Sequence, residues 1–284
     1  MLANILFIIE DVRLYGQMAE TLSTLAAERP EWKVRAALLQ EYEERMEEWG
    51  MEFCDTIVVT DQSELIQTVQ MHQGAMVAVL TEENREKSWD GVSFAMEGIA
   101  NPGADYFQKV YDRCHGIPWT ILETKRCLVR EICLEDLDRL YEIYREPSIT
   151  QYMEGLYEDR KEEERYTQAY IRCMYGFYGY GMWIVEEKAS GRIIGRAGLE
   201  HREDAEGVEI GYMIAREYQR QGYACEVCTA ILSYARTELE LPEIFCYTEA
   251  ENEASRRLCQ KLGFQKWEER DIKGKRYHIF KKIF

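Results

Sequence analysis

The stretch Glu217–Cys228, EYQRQGYACEVC, holds residues for two different chemistries. Gln219-Arg220-Gln221-Gly222-Tyr223-Ala224 is a small-residue turn feeding a helix. A helix start carries free N–H groups and the positive end of the helix dipole, and so attracts anions. Gly222 and Ala224 keep side chains out of the way, which lets phosphate oxygens meet backbone amides, and Arg220 adds a screening charge. The right-hand end, Cys225-x-x-Cys228, has the spacing of a metal or redox pair. A closed metal site needs about four ligands, yet the chain offers no second such pair and no nearby His; His201 and His278 stand alone. At spacing i, i+3 the two thiols share a helical face with Leu232 and Ala235. Packing is therefore the reading for the pair, and no metal is expected. A thiol pKa lowered by the helix start stays open for Cys225.

A second stretch, YTEAENEASRRLCQKLGF, supplies a strand end (Cys246–Thr248), a helix opening at Asn252 and a stop at Gly263. Asn252 has the side chain of an N-cap, and Gly followed by Phe264 is a usual helix exit. Ser255, Leu258, Cys259 and Leu262 share one face at i, i+3, i+4, i+7.

The elements that must position these residues follow from periodicity. Met182–Glu187, Arg192–Glu200 and Val208–Ile214 read as successive strands, the first two joined by Ala189-Ser-Gly191 and the third reached across an acidic loop. The turn at Gln219–Ala224 follows the third strand, as a phosphate cradle should, and matches neither G-x-G-x-x-G nor G-x-x-x-x-G-K-[ST]. The helix Cys225–Arg236 comes next. Upstream, Arg126–Ile132 is a strand, and LEDLDRLYEIY (Leu134–Tyr144) is amphipathic with Leu137, Leu140, Ile143 and Tyr144 on one side. The earlier part alternates differently. Asn4–Ile9, Val34–Leu39, Thr56–Thr60, Met76–Leu80 and Ser93–Met96 read as strands. Val12–Ala27, Tyr42–Trp49, Ser63–His72 and Ala104–Cys114 read as helices. Apolar strands separated by helices predict a mostly parallel sheet covered on both faces. The fold class is thus α/β and α+β: a doubly wound, Rossmann-like α/β domain over 1–124, then a second domain over 125–284 with a mixed, mostly antiparallel sheet.

Composition narrows the partners. A net charge of −17 over 284 residues argues against nucleic acid, whose phosphates need clustered Lys and Arg. It suits cationic small molecules or basic peptides, or an acidic solvated surface. The apolar run Ala3–Ile9 lacks a basic flank and meets Glu10-Asp11, unlike a signal peptide, and no apolar stretch approaches the roughly 20 residues of a membrane helix. Nine scattered cysteines, an odd number, read as reduced thiols in a cytoplasmic protein.

Residues 127–284 resemble the GNAT superfamily of acetyl-CoA-dependent N-acetyltransferases, particularly its RimJ/RimL-like branch. Gln219-Arg-Gln-Gly-Tyr-Ala224 is similar to the family's Q/R-x-x-G-x-G/A pyrophosphate loop. VEIGYMI is similar to the strand before it, NEASRRLCQKLGF to the N-x-x-S…LGF helix, and YGFYGYGMWIVEEKASGRIIGRAGLE to the Gly-rich entry into the central strands. The resemblance implies transfer of an acetyl group from acetyl-CoA, as co-substrate, to a primary amine of a small molecule or a peptide N-terminus. Gln219 to Cys225 (Gln219, Arg220, Gln221, Gly222, Tyr223, Ala224, Cys225) would form the pyrophosphate cradle, with N–H groups donated from Gln221 to Cys225. Free amides of Met213, Ile214 and Ala215 would pair with the pantetheine arm. Holding the thioester beside the amine would supply much of the rate.

The amine must lose a proton, and the departing thiolate is the second place where a proton can be transferred. Glu209, on the strand beside the reaction centre, is the first candidate base, acting through water, and Glu200 is its rival. The family often places a Tyr acid where Cys259 stands, and the RimJ/RimL-like branch commonly lacks it. Asn252 and Ser255 would contact pantetheine or cap their helix. Residues 151–180, acidic and rich in tyrosine, correspond to the part that shapes the acceptor pocket. The first domain has a weaker HAD-like or flavodoxin-like resemblance and lacks the Asp-x-Asp pair of a HAD phosphatase. It is read as a non-catalytic module that presents substrate, regulates or dimerises, a homodimer being one candidate assembly. The alternative to an enzyme is a coenzyme A-binding regulatory protein without turnover.

Overall fold

The computed structural model describes residues 1–99, 102–201 and 207–284; the acidic loop expected ahead of Val208 lies largely outside them. The chain divides into two compact units, Met1–Ile117 and Pro118–Phe284.

The first unit contains strands β1 (Asn4–Ile9), β2 (Lys33–Leu38), β3 (Thr56–Thr60), β4 (Ala75–Leu80) and β5 (Ala95–Glu97), and helices α1 (Val12–Gln17), α2 (Ala19–Glu28), α3 (Tyr42–Trp49), α4 (Ile66–Met71) and α5 (Ala104–Cys114). Every strand pair is parallel, in the order β2-β1-β3-β4-β5. All of β1 and β3 is buried because each face has a cover. Phe7 and Ile9 pack with Met18, Leu25 and Phe107 on one side, while Leu6 and Ile8 pack with Met46, Ile66 and Val69 on the other. The single helix expected over Val12–Ala27 is two, joined at the buried Met18. Gly16, a poor helix former, sits at the break. The strand order reverses between β1 and β3, the place where open α/β sheets form a crevice. A cleft of about 330 Å³ lies there, lined among others by Asp11, Asp61, Thr81 and Asn84. Buried Asp61 accepts the amides of Glu10 and Asp11 at 3.0 and 3.1 Å, which fixes the loop after β1.

The second unit contains β6 (Thr120–Glu123), β7 (Cys127–Arg130), β8 (Met182–Glu187), β9 (Arg192–His201), β10 (Val208–Ile214), β11 (Glu243–Glu249), β12 (Gln265–Ile272) and β13 (Lys275–Ile283). Its helices are α6 (Leu137–Tyr144), α7 (Pro147–Thr150), α8 (Arg160–Tyr170), α9 (Tyr223–Thr237) and α10 (Glu253–Lys261). The sheet runs β12-β13-β11-β10-β9-β8-β7-β6 and is antiparallel except between β10 and β11. Thus β6, ahead of the boundary drawn at residue 125, pairs with β7 and belongs to this sheet. The β12–β13 hairpin turns at Lys273-Gly274, both with positive φ, the conformation a tight hairpin turn requires.

The sheet's two faces are sorted by strand alternation. Trp183, Ala197 and Tyr212 lie opposite one another across β8, β9 and β10, and Trp183 meets Tyr234 of α9 edge to face. Ile184, Arg196 and Met213 therefore share the other face, where Met213 clusters with Ile143 of α6 and Ile149 of α7. Among the described residues no helix is long and apolar enough to cross a membrane.

Candidate active site

The parallel pair β10–β11 is held by a single registered position, Glu209 opposite Phe245. Beyond it the two strands diverge, and β10 continues to Ile214 with β9 alone beside it. The Ala215 N–H is taken by Ile194 O at 2.8 Å, so of the three amides expected to be free this one is not. Strand alternation then turns the neighbouring Ile214 N–H the opposite way, toward the gap, and the Met213 N–H toward β9. The Gln219 side chain closes the end of the gap by donating to Ile214 O at 2.9 Å. A cleft of about 510 Å³ opens at this end, with Ala215, Arg216, Arg139 and Glu146 in its wall.

The turn after β10 is built by two left-handed residues, Arg220 at φ 61° and Gly222 at φ 87°. Alternation of this kind points successive N–H groups into one concavity that suits an anion. Gly222 is the N-cap of α9 and brings no capping side chain. The first intrahelical bond is Glu226 N–H to Gly222 O, which leaves the amides of Tyr223, Ala224 and Cys225 without helical acceptors. The helix starts two residues earlier than the sequence suggests because Tyr223 is buried and carries its first turn inward. The Gln221 side chain turns back to Glu217 O at 2.8 Å, so it braces the loop.

A cation that the local sequence does not announce reaches this turn from the β6–β7 connection. Arg126 donates through Nη1 to Gln221 O at 3.1 Å, stacks over the Tyr223 ring at 4.0 Å and pairs through Nε with Glu226 at 2.7 Å. A Cβ at Gly222 would stand 3.6 Å from Arg126 Nη2. Glu226 also accepts from Thr124 Oγ1 and Arg126 N–H, at 2.7 and 2.8 Å. Burial works against the Glu226 charge, but these three bonds outweigh it and hold the carboxyl below its usual range. The Tyr223 hydroxyl is anchored on Glu187.

Across the gap, Asn252 caps α10 by accepting Ser255 N–H at 3.1 Å. Ser255 Oγ lies 2.7 Å from Tyr212 Oη. Burial raises the Tyr212 pKa, with Cys246 and Cys259 adding to it, so this phenol stays protonated. Cys259 is 1% exposed and its thiol contacts Cys246 and Tyr212. Hydrogen bonding to Cys259 and burial push the Cys246 thiol up. Cys228 is buried in the same core with its thiol raised by burial, while Cys225 is half-buried at the first turn. Among the described residues no group of three or more metal-ligating side chains forms.

The opposite face of the sheet carries the candidate bases. Glu200 on β9 and Glu209 on β10 are directly paired and hence side by side. Glu209 Oε1 accepts Tyr247 N–H at 3.4 Å, and Glu200 Oε1 accepts the Tyr170 hydroxyl at 3.0 Å. Tyr170 stands at the end of α8, where the helix widens into π-type turns over Ile171–Tyr178; such widening recurs at functional sites. Tyr157, Tyr166, Tyr170 and Tyr175 form a chain of ring contacts 5.6 to 6.1 Å apart. Gly198, between the strand positions of Glu200 and Arg196, admits the Gly181 carbonyl that a Cβ would strike, and that carbonyl accepts the Leu199 N–H at 3.1 Å.

The family model for the acetyltransferase (GNAT) domain matches residues 126–265. YkkB of Bacillus subtilis is 32% identical over 149 residues, which is 51% of this chain and 84% of that protein. The N-acetyltransferase YoaA of Bacillus subtilis is 32% identical over 154 residues, 51% of this chain and 83% of that one. Among solved structures, ribosomal-protein-S5-alanine acetyltransferase from Vibrio fischeri superposes with a TM-score of 0.50 at 18% identity, covering 57% of this chain and 95% of its own. RimL, a ribosomal L7/L12 alpha-N-protein acetyltransferase, gives 0.51 at 13%, covering 59% and 95%. The splayed strand pair, the amide-lined turn and the matched residues agree, and the chain belongs to the GNAT family of acetyltransferases, whose reaction is acetyl transfer from acetyl-CoA.

Proposed function

We propose that the second unit acetylates a primary amine by direct attack on acetyl-CoA in a ternary complex. The observation that carries the proposal is the single-pair contact between β10 and β11, which opens a slot beside Glu209. The cradle from Gln221 to Cys225, with Arg126, would hold the pyrophosphate, and Ile214 N–H the pantetheine arm. When bound, acetyl-CoA would supply the activated acetyl group and leave as coenzyme A; the protein's residues position it and move protons. Glu209 takes the amine proton through water, with Glu200 beside it favouring a cationic amine at this place. Tyr212, through Ser255, is the proton source on the side of the departing sulfur, in place of buried Cys259. Asn252 holds that helix start in place.

A RimL structure in complex with coenzyme A superposes with a TM-score of 0.50, and RimL is a ribosomal L7/L12 alpha-N-protein acetyltransferase. The shared fold supports an amine or peptide acceptor. The first unit is proposed as a non-catalytic module. Acetyl-CoA-dependent thiol release, measured with amines and N-terminal peptides, tests the reading. Coenzyme A binding without turnover on any acceptor would favour a binding or regulatory role instead.

A further inference from the structure

On β9 the side chains of Arg196 and Glu200 share a face with Met213 and Glu209 of β10. That face is the one under α6 and α8. The arginines nearby are engaged: Arg130 with Asp136, Arg139 with Glu217, Arg160 with Asp138. Arg196 is not. Its Nε has neither solvent access nor a hydrogen-bond partner. Burial works against its charge, while the phenols of Tyr144, Tyr170 and Tyr175 and the Glu200 carboxylate around it keep the guanidinium charged. Glu200, the carboxylate in its neighbourhood, gives its Oε1 to Tyr170. A buried guanidinium nitrogen with an unmade bond is costly, and a planar fork of donors is the group that matches a carboxylate. Tyr170 touches both sides of this arrangement, bonding Glu200 and flanking Arg196.

We infer that Arg196 receives a carboxylate of the acceptor, so that the acceptor is amino-acid-like, with its amine at Glu200 and Glu209 and its carboxylate on Arg196. This rests on the proposed transferase reading and deepens it. A free amino acid satisfies both charges; a peptide N-terminus without a nearby carboxylate, or a plain alkyl amine, leaves the guanidinium unpaired. Two carboxylates side by side and a guanidinium on the same face of the sheet are complementary to a zwitterion.

The test compares the proteinogenic amino acids with their carboxamides, which keep the amine and lose the charge. The expected result is a kcat/KM at least 100-fold higher for the best acid than for its amide. In Arg196→Met this ratio falls to near one through KM for the acid, with KM for acetyl-CoA unchanged; Arg196→Lys keeps part of it. Equal rates for acid and amide in the unmodified protein would overturn the inference even if Arg196→Met failed to fold. So would discrimination that survives in a folded Arg196→Met. Faster turnover of succinyl-CoA than acetyl-CoA, lost in Arg196→Met, would also overturn it by assigning the guanidinium to the acyl group. Calorimetric titration of the same pairs into the coenzyme A-loaded protein separates the two readings. Acids bound over amides without turnover would keep the inference and remove the transferase reading. Turnover only of amines that lack a carboxylate would do the reverse.

Discussion

The Tyr170 hydroxyl donates to Glu200 Oε1 at 3.0 Å while it accepts the Met182 N–H at 2.6 Å. One phenol at the end of α8 thereby ties that helix to the first residue of β8 and to a candidate base on β9. Burial first, and the Glu200 charge second, raise the Tyr170 pKa well above its ordinary value. The donor therefore persists at any pH where the enzyme works.

Tyr170→Phe leaves the buried Met182 amide without its acceptor, at a cost of about 1–3 kcal/mol. The expected outcome is a lower Tm and a kcat reduced roughly tenfold, with KM for acetyl-CoA unchanged. Because the phenol is protonated throughout, the alkaline limb of the pH–rate profile keeps its shape in the variant. Thermal melts and a pH series of initial rates check both points.

Glu209→Gln is expected to lower kcat by about 100-fold or more, the scale of general-base removal, and to flatten the acidic limb of the profile. Glu200→Gln, with Tyr170 still in place, is expected to cost less than about tenfold. The reverse order in steady-state kinetics would make Glu200 the base.

Arg126→Ala removes a cation that reaches the Gly222 turn, and KM for acetyl-CoA should rise about tenfold or more, as for a charged hydrogen bond, with kcat little changed. Glu226→Gln should act in the same direction by releasing Arg126. Since the Glu226 carboxyl is depressed in the folded protein, its contribution to stability is complete above the unfolded carboxylate range of about 4.3. That contribution is lost as pH falls through the lower folded value. The difference in Tm between Glu226→Gln and the unmodified protein should thus be largest near neutral pH and shrink in acid.

The strand–turn–helix order around Gly222 and the Asn252 cap were legible because they are local: a turn residue, a capping side chain and a helix stop lie within a few positions of one another. The parallel sheet of the first unit was legible for a similar reason, since strands buried on both faces read as unbroken apolar runs. What escaped was set by pairing between distant segments. Arg126 lies 96 positions before Gly222, and nothing near it signals a phosphate site. Tyr212 reads as one more strand aromatic until β11 diverges and α10 brings Ser255 to it. Arg196 sits in RIIGRAGLE as an ordinary strand residue; only the pairing with β10 shows that it shares a face with both glutamates. The free amides expected at the end of β10 depended on which edge each faced, and the bond from Ala215 to Ile194 resolved that.

Tyr212 and Ser255 should behave as one unit. Tyr212→Phe removes the hydroxyl 2.7 Å from Ser255 Oγ and leaves the ring packed, and Ser255→Ala removes the other half of the pair. If the pair delivers the proton taken up by the departing sulfur, each single change lowers kcat about tenfold with KM for acetyl-CoA unaffected, and the double variant loses little more than either alone. Residues that share one network show such coupling, whereas independent residues give effects that multiply. A double-mutant cycle in kcat, run with an acetyl donor whose leaving thiol has a lower pKa, makes the comparison specific. The better leaving group should rescue both single variants, because its thiolate departs without a proton, and a purely structural role for Tyr212 would leave the loss in place.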